Sequence, residues 1–403
     1  MAKVQKKITM RLLSFLSVLF MIGTVSCATK APESADQASA IPTRLMNTPA
    51  DYEKLGVNPD VIEEWEDGRR DDSRPGAYEW WYFDMILDDG TAVVVIFHDK
   101  DAATPDVAMS PYVQFEVTLP SGEHFHEDVK VGVEDAFFST ETCEIRLGEV
   151  ASLTGDLKTY EIEIDTVNGI GAHLVLESMS SSWRPGSGYM GFGEDDVDYF
   201  TWLCAVPRGR VSGDLTVKGE TREVSGFGYH DHQWGTVPPL MVWNHWFWLR
   251  QSFEDYTILV FDLVSNSSHD FVRYPFVFIQ DAEGNIVFES TGDIDETGFE
   301  VLSEYDQEAT GKRVPGAFTY TFRDGDKTAV YSMEATKEIS AQDNYSMVPP
   351  EVRALFDQAG IHPSYTRWVG QGELELDLDG VTSKQEGDAI YEMIYIGTEY
   401  QNY

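Results

Sequence analysis

Tyr78-Glu-Trp-Trp-Tyr-Phe-Asp-Met-Ile-Leu87, Asp88-Asp-Gly90 and Thr91-Ala-Val-Val-Val-Ile-Phe-His98 read in succession as strand, turn and strand. Two runs of aromatic and β-branched residues flank an Asp-Gly pair, the strongest short-range hairpin signal. Alternation sends Glu79, Trp81 and Phe83 to one face and Trp80, Tyr82 and Asp84 to the other. Outward from this hairpin the style repeats. Tyr112–Leu119, Glu144–Leu147, Tyr160–Ile164, His173–Glu177 and Gly213–Val217 are short alternating runs divided by turn pairs such as Asn168-Gly169. Tyr256–Val264, Tyr274–Ile279, Asn285–Glu289, Gly316–Phe322, Ala329–Met333 and Gly372–Leu376 continue it. Strands at this spacing without helical periodicity between them predict an all-β chain of antiparallel barrels or sandwiches. One short helix is expected between Tyr52 and Gly68, and another from Pro350 to Gly360, with Pro near its start and Gly at its end. No short-period repeat is present, which excludes solenoids and propellers.

The length of 403 residues suits two domains. The boundary falls near Pro238-Pro239, giving domains at 51–237 and 238–403. Lys3, Lys6, Lys7 and Arg11 precede an apolar run from Leu12 to Val25, too short and wrongly flanked for a membrane span. Thr24-Val-Ser-Cys27 resembles a bacterial lipobox, so residues 1–26 read as a signal peptide and Cys27 as the lipidated residue. Thr24 stands where that motif has Leu, and ordinary signal cleavage with secretion is the alternative. Residues 27–50, rich in Ala, Ser, Pro and Gln, read as a flexible tether. The expected location is the bacterial cell envelope, anchored to a membrane on its periplasmic or outer surface.

Setting the four leader cations aside from 29 Lys and Arg leaves 25 against 69 Asp and Glu, a net charge of −44. Such a surface repels nucleic acid and anionic headgroups, so neither is an expected partner. Cys143 and Cys204 remain besides Cys27, and the sequence leaves open whether they pair.

A second stretch concentrates the chemistry. Gly226-Phe-Gly-Tyr-His-Asp-His-Gln-Trp-Gly235 leads through Val237-Pro-Pro239 to Trp243-Asn-His-Trp-Phe-Trp248, placing three of nine His and four of ten Trp in 23 residues. In an extended chain His230 and His232 share one face, while Asp231 and Gln233 share the other. Pro75-Gly-Ala-Tyr-Glu-Trp-Trp-Tyr-Phe-Asp84, Pro207-Arg-Gly-Arg-Val-Ser-Gly213 and the Gly226–Gly235 string together resemble the hydroxyneurosporene synthase family. That family contains carotenoid 1,2-hydratases and is related to AttH-like proteins and to lipocalin-like fungal Diels-Alderases. Pro363-Ser-Tyr-Thr-Arg-Trp368 resembles a weaker C-terminal signature. The resemblance implies two tandem lipocalin-like β-barrel or sandwich domains, an apolar ligand pocket and no cofactor or metal. It also maps function onto His232, Trp234 and an acid on a later strand, Asp262; Val260 stands where members carry Tyr.

Hydrating an alkene needs an acid that keeps its proton, aromatic faces for a carbocation and a positioned water. Asp262 shares a strand face with Tyr256, Ile258 and Val260, and burial there would raise its pKa. Trp234, Trp246, Trp248 and Tyr82 would surround the cation, and His232 or His230 would handle the water. Glu79, Trp81 and Tyr229 complete the expected substrate-binding set. Bland readings stand beside these: His230 as a satisfied core imidazole, Glu79 in an ion pair with Arg74 or Arg250, and Asp231 as an orienting group. His230, His232 and His245 are the alternative zinc set, while His124-Phe-His126 reads as solvent-facing among Glu123, Glu127 and Asp128. Two functions follow: a cofactor-independent hydratase, lyase or isomerase of an apolar isoprenoid or polyketide-like molecule, and a lipid-anchored carrier binding such a ligand without catalysis.

Overall fold

The computed structural model describes residues 40–100, 107–292 and 294–398. Cys27 and the signal segment lie outside the described residues. The chain divides into two compact units. Of the described residues, the first takes 63–177 and 209–236, and the second takes 40–62, 178–208 and 237–398.

In the first unit the Asp-Gly hairpin forms as read: Tyr78–Leu87 pairs antiparallel with Ala92–His98, and Gly90 holds the turn at φ +83°. The sheet order is His124–Lys130, Tyr112–Thr118, Ala92–His98, Tyr78–Leu87, Glu220–Gly235, Asp198–Val217 (of which 209–217 falls in this unit), Ile170–Ser178, Thr159–Val167, Ala151–Gly155, Cys143–Leu147 and Ala136–Phe138. The sheet curls into a half-barrel around Phe83, Val93, Val95, Phe115, Val117, Ile162, Leu174 and Val211, each buried. One pairing matters most. Tyr78–Leu87 lies directly against Glu220–Gly235, with Glu79 opposite Trp234, Trp81 opposite His232 and Phe83 opposite His230. Two motifs some 150 residues apart thereby share one inward face.

The second unit holds a nine-stranded antiparallel half-barrel. Its order is Ile286–Thr291, Arg273–Asp281, Tyr256–Ser265, Trp243–Ser252, Val381–Gly397, Ile361–Leu378, Lys327–Gln342, Arg313–Asp324 and Thr297–Asp306. Strand alternation is plain in Gly372-Glu-Leu-Glu-Leu376: Leu374 and Leu376 are buried, while Glu373 and Glu375 reach outward to Lys384 at 2.6 and 2.8 Å. The helix Pro350–Ala359 ends at Gly360, whose φ of +66° is the left-handed stop that glycine supplies.

Three expectations need correction. The expected 51–237 domain is not continuous, because 51–62 and 178–208 belong to the second unit. There Trp183 packs on Phe278 at 4.6 Å and donates Nε1–H to Glu289 at 2.6 Å, and Arg184 donates to the Asn58 carbonyl at 2.6 Å. The tether does not extend to residue 50: Thr43–Leu45 pairs with Tyr189–Phe192, and Arg44 grips both oxygens of Asp51 at 2.7 Å and Asp196 at 2.6 Å. The helix expected over Tyr52–Gly68 is instead Pro49–Leu55, with a separate 3-10 turn at Glu64–Asp67. Thr48 and Asp51 form a capping box that starts the helix early, and Gly56 at φ +69° ends it.

Candidate active site

The inward face of the paired strands closes on a residue that the sequence reading did not single out. Asp67, at the end of the 3-10 turn, is fully buried and accepts from the Tyr160 hydroxyl at 2.6 Å. His230 Nε2 lies 3.2 Å from the same carboxylate oxygen. His232 Nδ1 stands 3.3 Å from the other, without hydrogen-bond alignment. On its far side His232 Nε2 meets Glu79 Oε1 at 2.8 Å. Glu79 is fixed in turn by the backbone N–H groups of Arg70 and Asp71, which donate at 2.6 and 2.7 Å. Trp81 donates its indole N–H to the Asp67 carbonyl at 2.9 Å. His230 Nδ1 points at the Tyr82 carbonyl, 3.0 Å away.

Aromatic rings hold these imidazoles in place. Phe83 stacks on His230 with centroids 4.0 Å apart, and Trp81 stacks on His232 at 4.4 Å. Trp234 covers His232 from another side at 4.5 Å. Each such pair contributes about 0.5–1.5 kcal/mol beyond its burial. The result is a rigid imidazole bracketed by two carboxylates in a site without solvent exposure.

The electrostatics follow from that bracket. Burial pulls the His232 imidazolium down, but the Asp67 and Glu79 carboxylates on either side of the ring outweigh it, so its pKa is raised from 6.5. Burial also opposes ionisation of Asp67, yet the two imidazoles hold its carboxyl well below the usual range. Beyond Glu79 the network continues to Asp99, which burial and the neighbouring Glu79 and Asp71 carboxylates push well above the usual carboxylate range. Arg69 reaches Asp99 and Asp71 at 3.3 and 3.4 Å. The site therefore sets a carboxyl shifted up, Asp99, and a carboxyl shifted down, Asp67, around an imidazole that is itself shifted up. Such separated values are the mark of paired acid and base groups.

The second unit has its own buried charge. Asp262 is bound at both oxygens by Arg273, at 2.9 and 2.5 Å, and receives the Tyr320 hydroxyl at 2.5 Å. Tyr320 thus brings a hydroxyl to this acid although residue 260 is Val. Burial first, then Asp262, pushes that hydroxyl well above its ordinary value.

The expected site residues are therefore distributed. His230, His232, Trp234, Glu79, Trp81, Tyr82 and Tyr229 belong to the first unit; Asp262, Trp246 and Trp248 belong to the second. Asp67 and Glu79, rather than Asp262, are the acids on His232. Glu79 pairs with His232 instead of an arginine. Tyr229 is buried and donates to Asp231 at 2.8 Å, while Tyr82 is half-buried with its ring edge-on to Tyr229. Trp246 and Trp248 are half-buried, Trp246 edge-on to Phe261 and Trp248 beneath Arg250.

The zinc set of His230, His232 and His245 does not assemble in either unit, since His245 belongs to the second, where burial pushes it down to about 3. Asp67, Cys143 and His230 do present donor atoms within 4.8 Å of one another. They fit a metal poorly: burial raises the Cys143 thiol well above its ordinary value, and Asp67 is already engaged by Tyr160 and His230. Cys143 and Cys204 are both buried.

Two lipocalin-like half-barrels, one with an acid–base array at the junction of its two signature strands, define the class of protein. A family model for Diels-Alderase-like proteins matches residues 69–328, and the chain belongs to that family. The quinolone epoxide rearrangement protein penF of Penicillium thymicola is 25% identical over 53% of this chain and 62% of its own length. The hydroxyneurosporene dehydrogenase of Chlorobaculum tepidum is 26% identical over 44% of this chain and 54% of its own. The chain thus spans between about half and three fifths of these two relatives. Among solved structures, CghA superposes with a TM-score of 0.56 at 16% identity, covering 81% of this chain and 90% of that one. A protein from Nitrosomonas europaea assigned as AttH gives 0.54 at 16% identity, covering 83% and 96%.

Proposed function

We propose that this protein is an enzyme that moves a proton on an apolar small molecule of isoprenoid or polyketide type, so isomerising or adding to one of its double bonds. His232 is the acid–base group, Glu79 and Asp67 hold its ring and its charge, and Asp99 is the proton reservoir behind Glu79. The observation that carries this reading is the fully buried imidazole between two carboxylates. Burying such charges costs several kcal/mol per ion, which a half-barrel with a sufficient apolar core does not need for folding. Family membership and relatives named for epoxide rearrangement and Diels-Alder chemistry support the same class. Water addition to an isoprenoid, as in a carotenoid hydratase, is the narrower form of the proposal. The leader supports export and anchoring through Cys27 at the bacterial envelope.

The second reading is a lipid-anchored carrier, favoured by the absence of solvent exposure at His230 and His232. One experiment separates the two. Protein lacking its leader is purified and examined by native mass spectrometry with lipid extraction, then incubated in deuterated buffer beside His232→Gln and Asp262→Asn variants. The enzyme reading expects the wild type to return a co-purifying apolar molecule with added deuterium or water, and His232→Gln to return it unchanged. Loss in Asp262→Asn alone would move the chemistry to the second unit. A ligand returned unaltered by all three proteins would make the protein a carrier.

A further inference from the structure

Away from the buried array, the hairpin of Tyr112–Thr118 and His124–Lys130 carries a separate group of ligating side chains. Glu116 is paired directly opposite His126, and His124 lies two residues away on the same strand face. His126 Nδ1 stands 3.3 Å from Glu116 Oε1, and His124 Nε2 stands 3.8 Å from Oε2. One donor atom from each of the three residues lies within 4.8 Å of the others. Tetrahedral zinc with bonds of about 2.1 Å places its ligand atoms about 3.4 Å apart, which the 3.3 Å His126–Glu116 separation matches, while His124, at 3.8 Å from the other carboxylate oxygen, would close in slightly on a bound ion.

The surroundings hold each ligand from behind. His126 Nε2 faces Asp128 Oδ1 at 3.2 Å, the carboxylate–imidazole pairing that orients a metal-bound histidine. His124 Nδ1 meets the Thr118 hydroxyl at 2.9 Å, which leaves Nε2 toward the centre. Gln114, itself buried, donates to Glu116 Oε1 at 2.7 Å. Glu116 is buried at the base, His126 is half-buried and His124 is exposed at the rim, which gives a metal a path of entry. The sequence reading of this pair as merely solvent-facing describes His124 but not His126.

We propose that Glu116, His124 and His126 form a binding site for one divalent transition metal of the zinc type, with Asp128, Thr118 and Gln114 orienting the ligands. Two imidazoles and one carboxylate suit zinc over calcium or magnesium, which favour oxygen donors throughout. Three protein ligands leave the fourth position to water. The site is independent of the acid–base array and of its proposed reaction.

The test uses the leaderless protein without an affinity tag, stripped with EDTA and titrated with Zn²⁺ alone against a chelating indicator. The expected result is one zinc per chain at micromolar or tighter affinity. His126→Gln and Glu116→Gln should each lose it. His124→Gln, altered only at the exposed rim, should weaken it at least about tenfold while leaving the circular dichroism spectrum unchanged. Asp128→Asn should cost about 10–100-fold, as orienting partners do. His173→Gln, in the wholly exposed Glu161, Glu163 and His173 group, should bind as the wild type does. No stoichiometric uptake by the wild type, or uptake that survives both His124→Gln and His126→Gln, would overturn the assignment.

Discussion

Replacing Asp67 by Asn removes the central charge of the buried array while keeping its shape. The substituted amide oxygen still accepts from Tyr160, the main-chain carbonyl still accepts from Trp81, and Glu79 still holds His232. Taking one partner from a buried ion pair costs roughly 3–5 kcal/mol. The surviving Glu79 contact sets the expectation at the lower end, about 3 kcal/mol, or roughly 6–12 °C in Tm for a domain of this size. The sign of the pH dependence follows from two shifts. His232 is raised from 6.5, so its contribution is complete below 6.5 and is lost as pH rises through the folded value. Asp67 is lowered from 3.8, so its contribution is present above 3.8 and is lost as pH falls through the folded value. Both act together between 3.8 and 6.5. Urea unfolding followed by tryptophan fluorescence should therefore separate wild type and Asp67→Asn more at about pH 5 than at about pH 9. A difference under about 1 kcal/mol at the lower pH, or one that does not narrow on going to the higher pH, would refute the ion-pair account.

Two further outcomes are expected. Arg273→Met leaves the Asp262 carboxylate buried without its guanidinium and should destabilise the second unit by roughly 3–5 kcal/mol in chemical denaturation. Adding Asp262→Leu should recover most of that loss, and failure to recover would mean that Arg273 acts through packing on Phe299. Cys143 should resist a thiol reagent at about pH 8 in the native protein and react once unfolded, because burial and the nearby Asp67 hold its thiol well above its ordinary value. Rapid native labelling, located by peptide mass mapping, would contradict the burial assigned to it.

Much of the fold was legible because antiparallel strands announce themselves locally. The Asp-Gly turn, the alternation in Glu373–Leu376 and the Pro–Gly frame of Pro350–Gly360 each carry their own signal. Elements whose signal is not local were missed. Val381–Gly397 is one of the longest strands, yet Lys384, Gln385 and Glu386 give its first half a polar sequence; pairing with Ile361–Leu378 makes it a strand. The early helix stop at Gly56 and the discontinuous first unit likewise depend on which segments pack together.

The candidate site divides along the same line. Sequence by itself determined that His230 and His232 share a face, that Glu79, Trp81 and Phe83 share another, and that both faces belong to strands, because a strand's period of two is a property of the backbone. Only the tertiary structure decided that these two faces are one, through the register that sets Trp81 against His232. It alone brought in Asp67, which in the acidic run Glu63-Glu-Trp-Glu-Asp67 looks like solvated surface but is carried inside by the 3-10 turn. It also gave His232 the acids Asp67 and Glu79, and gave Asp262 the partners Arg273 and Tyr320. The reason is physical: a carboxylate's role is set by what replaces its water, and those replacements come from residues distant in the chain.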